Sequence, residues 1–589
     1  MLPWTTYEAM YNAALHQPEQ FWLDAAQRVT WNDTPRIACQ TRADGWHDWF
    51  PDGMLNTCYN AVDRHVERGR GAQAALIWHS CATKERRIVT YQELQTRVAG
   101  FAGGLCTLGV KKGDRVLIAM PTMIETAIAM LACARIGAVH VVVFAGYAGP
   151  ELARRIDDVA PKVMIIASCS FQGQTDIPST PALNAALAQA THRPQVCIIV
   201  QRDACPAPLV PVRDHDFHAL ECSPPVAPLM LRSQDPLYIL HTSGTTGTSK
   251  GIVRDNGGHA VALALSMALI YACKAGDTFF TTSDLGWVVG HSYGVYAPLI
   301  SGCTSVIVEG AVTSAAIRTL CREHAVTCLF TTPTQIRLMR QESRNLSGST
   351  LPALARIFVA GEYADPTLLD WARAYFRKPV VNHWWQTETG WSITAHFFGL
   401  PEPEPITLLN DIGRPAPGFR PTIIPAMPDE PCGEIVLSLP LPPGCLAGVW
   451  KNKETHVPEI YLDDTGRFYR TFDEGMIEKS GAVHMLGRSD DVIKVAGRRI
   501  SGVQIEKIIA THPAVYACAV VAIPDELRGQ RPLAYVVTDR DLTPPSAEDI
   551  LRQVHQALGR WVGIKEVRFV QQIPTTKSGK ITRKYLHIS

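Results

Sequence analysis

Short apolar runs alternate with helix-length segments through most of this chain, and that alternation restricts its fold more than any other feature. Val116–Met120 has strand length, Met123–Ile136 helix length, and Val139–Phe144 strand length again. Glu151–Ala160 reads as the next helix and Val163–Ala167 as the next strand. Similar runs recur at Val196–Val200, Thr327–Thr331, Ile357–Ala360 and Val380–Asn382. A strand, a helix and a second strand close as a right-handed crossover, so the pattern predicts an α/β fold on mostly parallel sheets. Ligands of such sheets gather in the loops beyond the carboxyl ends of the strands.

The alternation does not cover the whole chain. Residues 1–90 are richer in Trp and His and less regular, as in an extension packed on a main body. Prolines crowd Leu400–Pro443, where the texture turns to short strands. Beyond about Asp490 comes a compact unit, with strands near Ala517–Ile523 and Ala534–Thr538 and a helix near Ser546–Leu558. A chain of 589 residues also exceeds one ordinary core. The expected division is an extension over 1–90, a large domain of stacked αβα sheets plus a β-subdomain over 91–489, and a small α+β domain over 490–589, joined by a hinge.

Composition serves mainly to exclude. With 46% hydrophobic and 19% charged residues and a net charge of +1, the chain has no electrostatic footprint for nucleic acid or a membrane surface. The most apolar region, Ala127–Tyr147, is interrupted by Arg135, His140 and glycines and falls short of a membrane span. The 16 cysteines stand singly, without a C-x-x-C pair or a Cys/His cluster at zinc spacing, as small core residues do in a reducing compartment. Met1–Trp4 leads into no apolar signal core, so the expected location is the cytoplasm.

The chemistry starts at His241–Gly251, which follows the apolar run Leu237–Leu240 and carries three glycines, six hydroxyl side chains and Lys250. Accessible backbone N–H groups, short hydroxyls and one point charge suit a polyphosphate. The order is not that of the usual P-loop, because no Gly-Lys-Ser/Thr occurs. On its own, the loop fits a phosphate cradle and a flexible surface turn alike.

Other segments join it. Gly361-Glu362-Tyr363 and Trp384–Gly390 each follow an apolar run; Tyr469–Asp473 and Gly487–Asp491 precede the change of texture; Pro574–Lys580 stands near the end. In this order, and over nearly the whole chain, they resemble the adenylate-forming (ANL) superfamily, and within it the short-chain acyl-CoA synthetases. Asp284–His291, Arg254–His259 and Leu439–Gly444 resemble propionyl-CoA synthetases more than acetyl-CoA synthetases. The resemblance implies two half-reactions. A carboxylate attacks the α-phosphate of ATP to give an acyl-adenylate and pyrophosphate, and the thiol of CoA then displaces AMP.

It also implies residue roles. Two anions meet at the α-phosphate, so cations must offset their repulsion. Lys580 and Arg499 match the family's cations there. Thr242, Ser243, Gly244, Thr245, Thr246, Gly247 and Lys250 would hold the outer phosphates. Gly361, Glu362, Tyr363, Asn382, His383, Trp384, Trp385, Gln386 and Thr387 would wall the adenine and α-phosphate. Asp473 would accept from both ribose hydroxyls, with Arg488 beside it. Glu388 is the implied Mg²⁺ ligand. His512 matches a cation-holding position, although a helix-end histidine before Pro513 serves equally as a cap. Asp490 matches the hinge, and Gly497 the part of the small domain that comes to CoA. The implied partners are a short carboxylate, ATP with Mg²⁺, CoA, and a protein acetyltransferase or deacetylase acting on Lys580.

Trp385 matches the tryptophan that closes the acyl pocket of short-chain relatives, where an indole fills the space a long tail would need. Ala360 stands where acetate-specific relatives carry valine, and Val289, beside Val288, where they carry threonine. Room for one more carbon favours propionate over acetate, and a methylene is worth about 1–3 kcal/mol, so the preference is graded. The pattern is broken in four places. Phe472 stands where relatives carry a small residue, and Thr248-Ser249 replace x-Pro before Lys250. His555 and Ser170–Gln174 replace arginine and an Arg-rich segment linked to CoA. The alternatives are an acetyl-CoA synthetase or other small-acid adenylating ligase, and a non-catalytic nucleotide-binding relative; Lys580, Arg499 and Glu388 speak against the last.

Overall fold

The computed structural model describes the chain except residues 1–3, 243–249, 343–350, 363, 365, 403–411, 426–430, 452–453, 457–460, 490–491, 497, 540–541, 575–580, 582, 584–585 and 587–589. Two large sheets dominate the described residues. One has nine strands in the spatial order Asp214–Asp216, Val196–Val200, Val163–Ala167, Arg115–Ala119, Val139–Val142, Pro236–Thr242, Lys250–Asp255, Gly448–Lys451 and Glu454–His456. Its first six strands are parallel and the last three add on antiparallel. The other has seven, in the order Val380–Asn382, Arg356–Val359, Cys328–Thr331, Thr278–Thr281, Thr304–Glu309, Ala74–Ser80 and Arg86–Thr90. All but the Arg86–Thr90 strand run parallel.

The two sheets share one core, to which Val116 and Ile118 contribute from the first and Phe279 and Phe330 from the second. The helix Ile124–Ile136 is buried at every position, as its all-round apolar sequence requires. Its two charged residues are paired: Glu125 with Arg87 at 2.8 Å and Arg97 at 3.1 Å, and Arg135 with Asp63 at 2.8 Å.

One expectation needs correcting. The strands Ala74–Ser80 and Arg86–Thr90 are built into the seven-stranded sheet, so this part of residues 1–90 belongs to the main body and is not laid on it. A strand pair at the edge of a sheet, the outer strand antiparallel and largely exposed, is hard to separate by texture from an irregular leader. The stretch before it is tied to residues 415–446 by its Trp and Tyr side chains. Trp46 and Trp49 donate their indole N–H groups to the carbonyls of Leu446 (3.3 Å) and Leu441 (3.0 Å), and the phenols of Tyr7 and Tyr11 reach Pro415 (3.1 Å) and Phe419 (2.9 Å).

The proline-rich region contributes to an antiparallel sheet of Pro421–Pro425, Gly433–Ser438, Phe468–Ile477 and Val483–Arg488. The last unit has strands Val492–Val495, Arg498–Ser501, Val515–Asp525, Gly529–Thr538 and Val567–Phe569 with helices Gly502–Ala510 and Ala547–Leu558. Its own core includes Ile493, Ile505, Val520, Val536 and Ile550. Ser546 and Asp549 form a capping box that starts the second helix. None of the 16 cysteines is in a disulfide, and no helix among the described residues is long and apolar enough to cross a membrane.

Candidate functional site

Parallel strands of the seven-stranded sheet end side by side at Thr281, Thr331, Val359 and Asn382, the edge where ligands of such sheets collect. The loop after Val380–Asn382 carries six candidate residues in a row, His383–Glu388. Gln386 and Trp384 point to Asp473 on the antiparallel sheet: the indole N–H of Trp384 donates to Asp473 Oδ2 at 3.0 Å and Gln386 Nε2 to the same oxygen at 2.6 Å. Arg488, paired with Asp473 across the neighbouring strand, donates to Oδ1 at 3.2 Å. Three segments distant in sequence thus converge on one buried carboxylate.

Glu388 forms a second focus. The phenol of Tyr461 donates to Glu388 Oε1 at 3.1 Å, and the ammonium of Lys250 lies 4.6 Å from the centre of the Tyr461 ring. Burial and the adjacent Glu388 carboxylate push the Tyr461 phenol well above its usual range. Lys250 pairs with Thr242 in the antiparallel ladder between Pro236–Thr242 and Lys250–Asp255, which residues 243–249 link in sequence. Among the described residues no cluster of three or more His, Cys, Asp or Glu side chains could hold a metal ion by itself. A single carboxylate fits the manner in which Mg²⁺ is held by one protein oxygen and substrate phosphates.

Gly361 has φ +96° and a Cβ built on it meets nothing within 4 Å, so this backbone faces open space. The adjacent Glu362 accepts from Thr334 N at 2.9 Å and Arg337 Nη1 at 3.0 Å, and so caps the helix Pro333–Glu342. Asn382 is buried at its strand end. His383 is a core residue: Nδ1 lies 2.9 Å from the Val359 carbonyl and Nε2 2.9 Å from the Tyr271 phenol, and burial pushes its pKa down to about 4. Its imidazole is not free to face a nucleotide.

Trp385 is 9% exposed and packs edge-on to Tyr293 at 5.5 Å, with Phe330 at 6.3 Å. Ala360, at 1% exposure, belongs to the same apolar cluster, and Val288 and Val289 pack against it. The turn before Val288–His291 is held by Asp284, which accepts from Thr122 Oγ1 at 2.9 Å and Gly286 N at 2.8 Å. Gly290 is required there, because a Cβ would stand 2.1 Å from the Asp284 carbonyl. Tyr293, Phe330 and Tyr461 were not singled out in the sequence. Tyr293 lies two residues past the Asp284–His291 segment, but only the fold reveals which aromatic residues face Trp385.

Phe472 has φ +58°, a left-handed conformation that favours glycine. Ile435 pairs with Asp473 while Val436 pairs with Arg470, so Thr471 and Phe472 are the extra residues of a bulge. The ring lies 5.0 Å from the Arg470 guanidinium and 6.3 Å from the Tyr461 ring, and Asp473 keeps its partners. Phe472→Gly trades relief of about 1 kcal/mol of backbone strain against lost ring contacts of similar size. We expect Tm to stay within about 3 °C and kcat/KM for ATP within about threefold; a larger loss in kcat/KM would make the ring part of the site.

In the last unit, the His512 ring accepts from Ala514 N at 3.2 Å, a local turn past the end of the helix Gly502–Ala510. The His555 ring is 3.1 Å from the Ile564 carbonyl. Ser243, Gly244, Thr245, Thr246, Gly247, Tyr363, Asp490, Gly497 and Lys580 lie outside the described residues, and for Arg499 only the backbone strand Arg498–Ser501 is described. A cavity of about 470 Å³ lined by Trp46, Trp49, Asp255 and Leu446 contains none of the candidate residues.

Comparison with known proteins bears on this arrangement. A family model described as AMP-binding enzyme matches residues 62–442, one described as AMP-binding enzyme C-terminal domain matches 504–580, and one described as acetyl-coenzyme A synthetase N-terminus matches 7–61. The chain belongs to the AMP-binding enzyme family. Human acyl-CoA synthetase short-chain family member 3, mitochondrial, is 40% identical, over 98% of this chain and 87% of the relative. The propionate–CoA ligase of Escherichia coli K12 is 38% identical, over 98% of this chain and 95% of that one. The solved structure of Brucella canis acyl-CoA synthetase has the same fold, with a TM-score of 0.69 at 24% identity and 98% of each chain covered.

Proposed function

We propose that this protein is an AMP-forming short-chain acyl-CoA synthetase that converts propionate, ATP and CoA to propionyl-CoA, AMP and pyrophosphate through propionyl-adenylate. The observation that carries the reading is the convergence of Trp384, Gln386 and Arg488 on the buried Asp473 carboxylate. The full-length similarity to a propionate–CoA ligase supports the same conclusion.

Each role follows from local chemistry. Asp473 anchors the ribose, with its orientation fixed by three donors. Residues 361–363 and 382–387 wall the nucleotide, Glu362 through its helix cap and His383 through its backbone. Lys250 and residues 243–249 face the outer phosphates. Glu388 would hold Mg²⁺, which, when bound, neutralises phosphate charge. Lys580 and Arg499 supply the cations at the α-phosphate, Asp490 is the pivot of the small domain, and the Gly497 segment meets CoA after the turn. The domain division is an extension, an adenylation domain ending near residue 489, and a mobile domain over 490–589. Lys580 is also the site where a protein acetyltransferase would switch adenylation off, by removing its charge.

Val288, Val289, Ala360 and Trp385 bound the acyl chain. Ala360→Val is expected to lower the propionate/acetate ratio of kcat/KM about tenfold or more, since one methylene is worth about 1–3 kcal/mol. A steady-state series of C2–C5 acids with ATP and CoA measures it, and an unchanged ratio overturns the pocket assignment. Propionate-dependent ATP–pyrophosphate exchange without thioester formation on free CoA would instead identify an adenylating enzyme that serves another acceptor.

A further inference from the structure

Arg254 is wholly buried, at 0% exposure, yet has no part in the chemistry above. It lies on the strand Lys250–Asp255, four residues past Lys250. Nη1 donates to the carbonyls of Glu388 at 3.1 Å and Gly444 at 2.7 Å, Nη2 donates to the carbonyl of Thr387, and Nε donates to the Tyr238 phenol at 3.3 Å. Among the described residues none of its hydrogen bonds goes to a carboxylate. A buried cation of this kind is costly, so it is a poor way to fill space.

The surroundings are built for this side chain. Leu446 N donates to the same Glu388 carbonyl at 2.8 Å, so both lone pairs of that oxygen are used. Gly390 has φ +73°, and a Cβ there would stand 2.8 Å from Arg254 Cζ and 2.3 Å from the Gly444 carbonyl. The Tyr238 ring lies 4.1 Å from that of His291 and 5.2 Å from that of His259. His291 Nε2 is in turn 3.1 Å from His140 Nε2. Burial holds all three imidazoles neutral, His140 down to about 3. The neighbouring Asp255 is pushed up to about 7 by burial. Burial thus shifts each of these neighbours toward its neutral form, while the guanidinium carries a fixed charge.

We infer that Arg254 is a positioning residue for the nucleotide: its planar fork fixes the main chain of Thr387 and Glu388 against the Gly444 loop, and its charge favours the polyanion bound on that loop. This rests on the assignment of residues 382–387 to the nucleotide wall, with Glu388 next to it. Lysine keeps the charge but not the fork, and methionine keeps neither.

The test is calorimetric titration of MgATP into the full-length protein, together with KM values for ATP and propionate. Arg254→Met is expected to raise the Kd and KM for ATP about tenfold with the KM for propionate within about twofold, and Arg254→Lys to fall between it and the wild type. Wild-type ATP affinity in Arg254→Met overturns the inference. So does an equal rise in both KM values, which would mean general loosening, or an Arg254→Lys protein no better than Arg254→Met. If Arg254→Met does not fold, Tyr238→Phe leaves the guanidinium in place and removes the acceptor of Nε, together with the phenol's 3.5 Å contact to His259 Nε2. A rise of about threefold in the ATP Kd at nearly constant Tm then supports the inference, and an unchanged Kd overturns it. Propionate-dependent pyrophosphate exchange by the wild type tests the functional reading separately, because ATP titration does not depend on which acid is used.

Discussion

Lys580→Gln is expected to lower propionate-dependent ATP–pyrophosphate exchange about 10³-fold, while thioester formation from preformed propionyl-adenylate and CoA stays within about threefold of wild type. In adenylation a carboxylate approaches a phosphate that is already negative, and the developing charge needs a cation at that point. Removing one donor aimed at developing charge costs about 10²–10³ in rate, and here a full positive charge goes with it. The second half-reaction separates AMP from the acyl group and brings no second anion to the α-phosphate, so it should not feel the loss. Glutamine also reproduces the neutral amide of acetyl-lysine, which makes the same variant a test of the proposed switch. Equal losses in both half-reactions would assign Lys580 a structural role, and retained exchange would move the catalytic cation elsewhere.

Asp473→Asn is expected to raise the KM for ATP and lower kcat/KM about 10²-fold, with a measurable fall in Tm. The reason lies in the donors around it. Oδ1 receives Arg488 and Oδ2 receives both Trp384 and Gln386, at 3.2, 3.0 and 2.6 Å. An amide turned either way presents its NH₂ group to at least one donor, leaving a buried polar contact unmade, and it removes the charge that balances Arg488. Hydrogen bonds to charged groups contribute about 1.5–3 kcal/mol each, so losing the equivalent of one or two accounts for about two orders of magnitude. Steady-state kinetics with ATP as the varied substrate and a thermal melt read both effects. A KM for ATP within a factor of about three of wild type would exclude Asp473 from the ribose site.

Much of the architecture was legible because its signals are local. The runs at Val163–Ala167, Val196–Val200 and Val380–Asn382 have the length and apolarity of strands buried on both faces, and each is a strand of a parallel sheet. The helix expected near Ser546–Leu558 forms with Ser546 as its cap. The strands Ala74–Ser80 and Arg86–Thr90 were missed because a sheet partner more than 200 residues away, Thr304–Glu309, makes them strands of the main body.

Family motifs in the sequence by themselves determined the class of chemistry and named Asp473, Arg488, Gln386 and Glu388 as a set, because a motif records residue type and spacing. They could not say how the set is held. Only the tertiary structure joins Asp473 to Trp384 and Gln386, puts Tyr461 between Lys250 and Glu388, places Phe472 in a bulge that leaves Asp473 undisturbed, and turns His383 into the core. It also decides that Arg254, an ordinary arginine in a strand by sequence, is a fully buried clamp on three carbonyls. The physical reason is the same in each case. Burial and hydrogen-bond partners are set by residues remote along the chain, and a linear pattern carries no record of which side chains share a low-dielectric space.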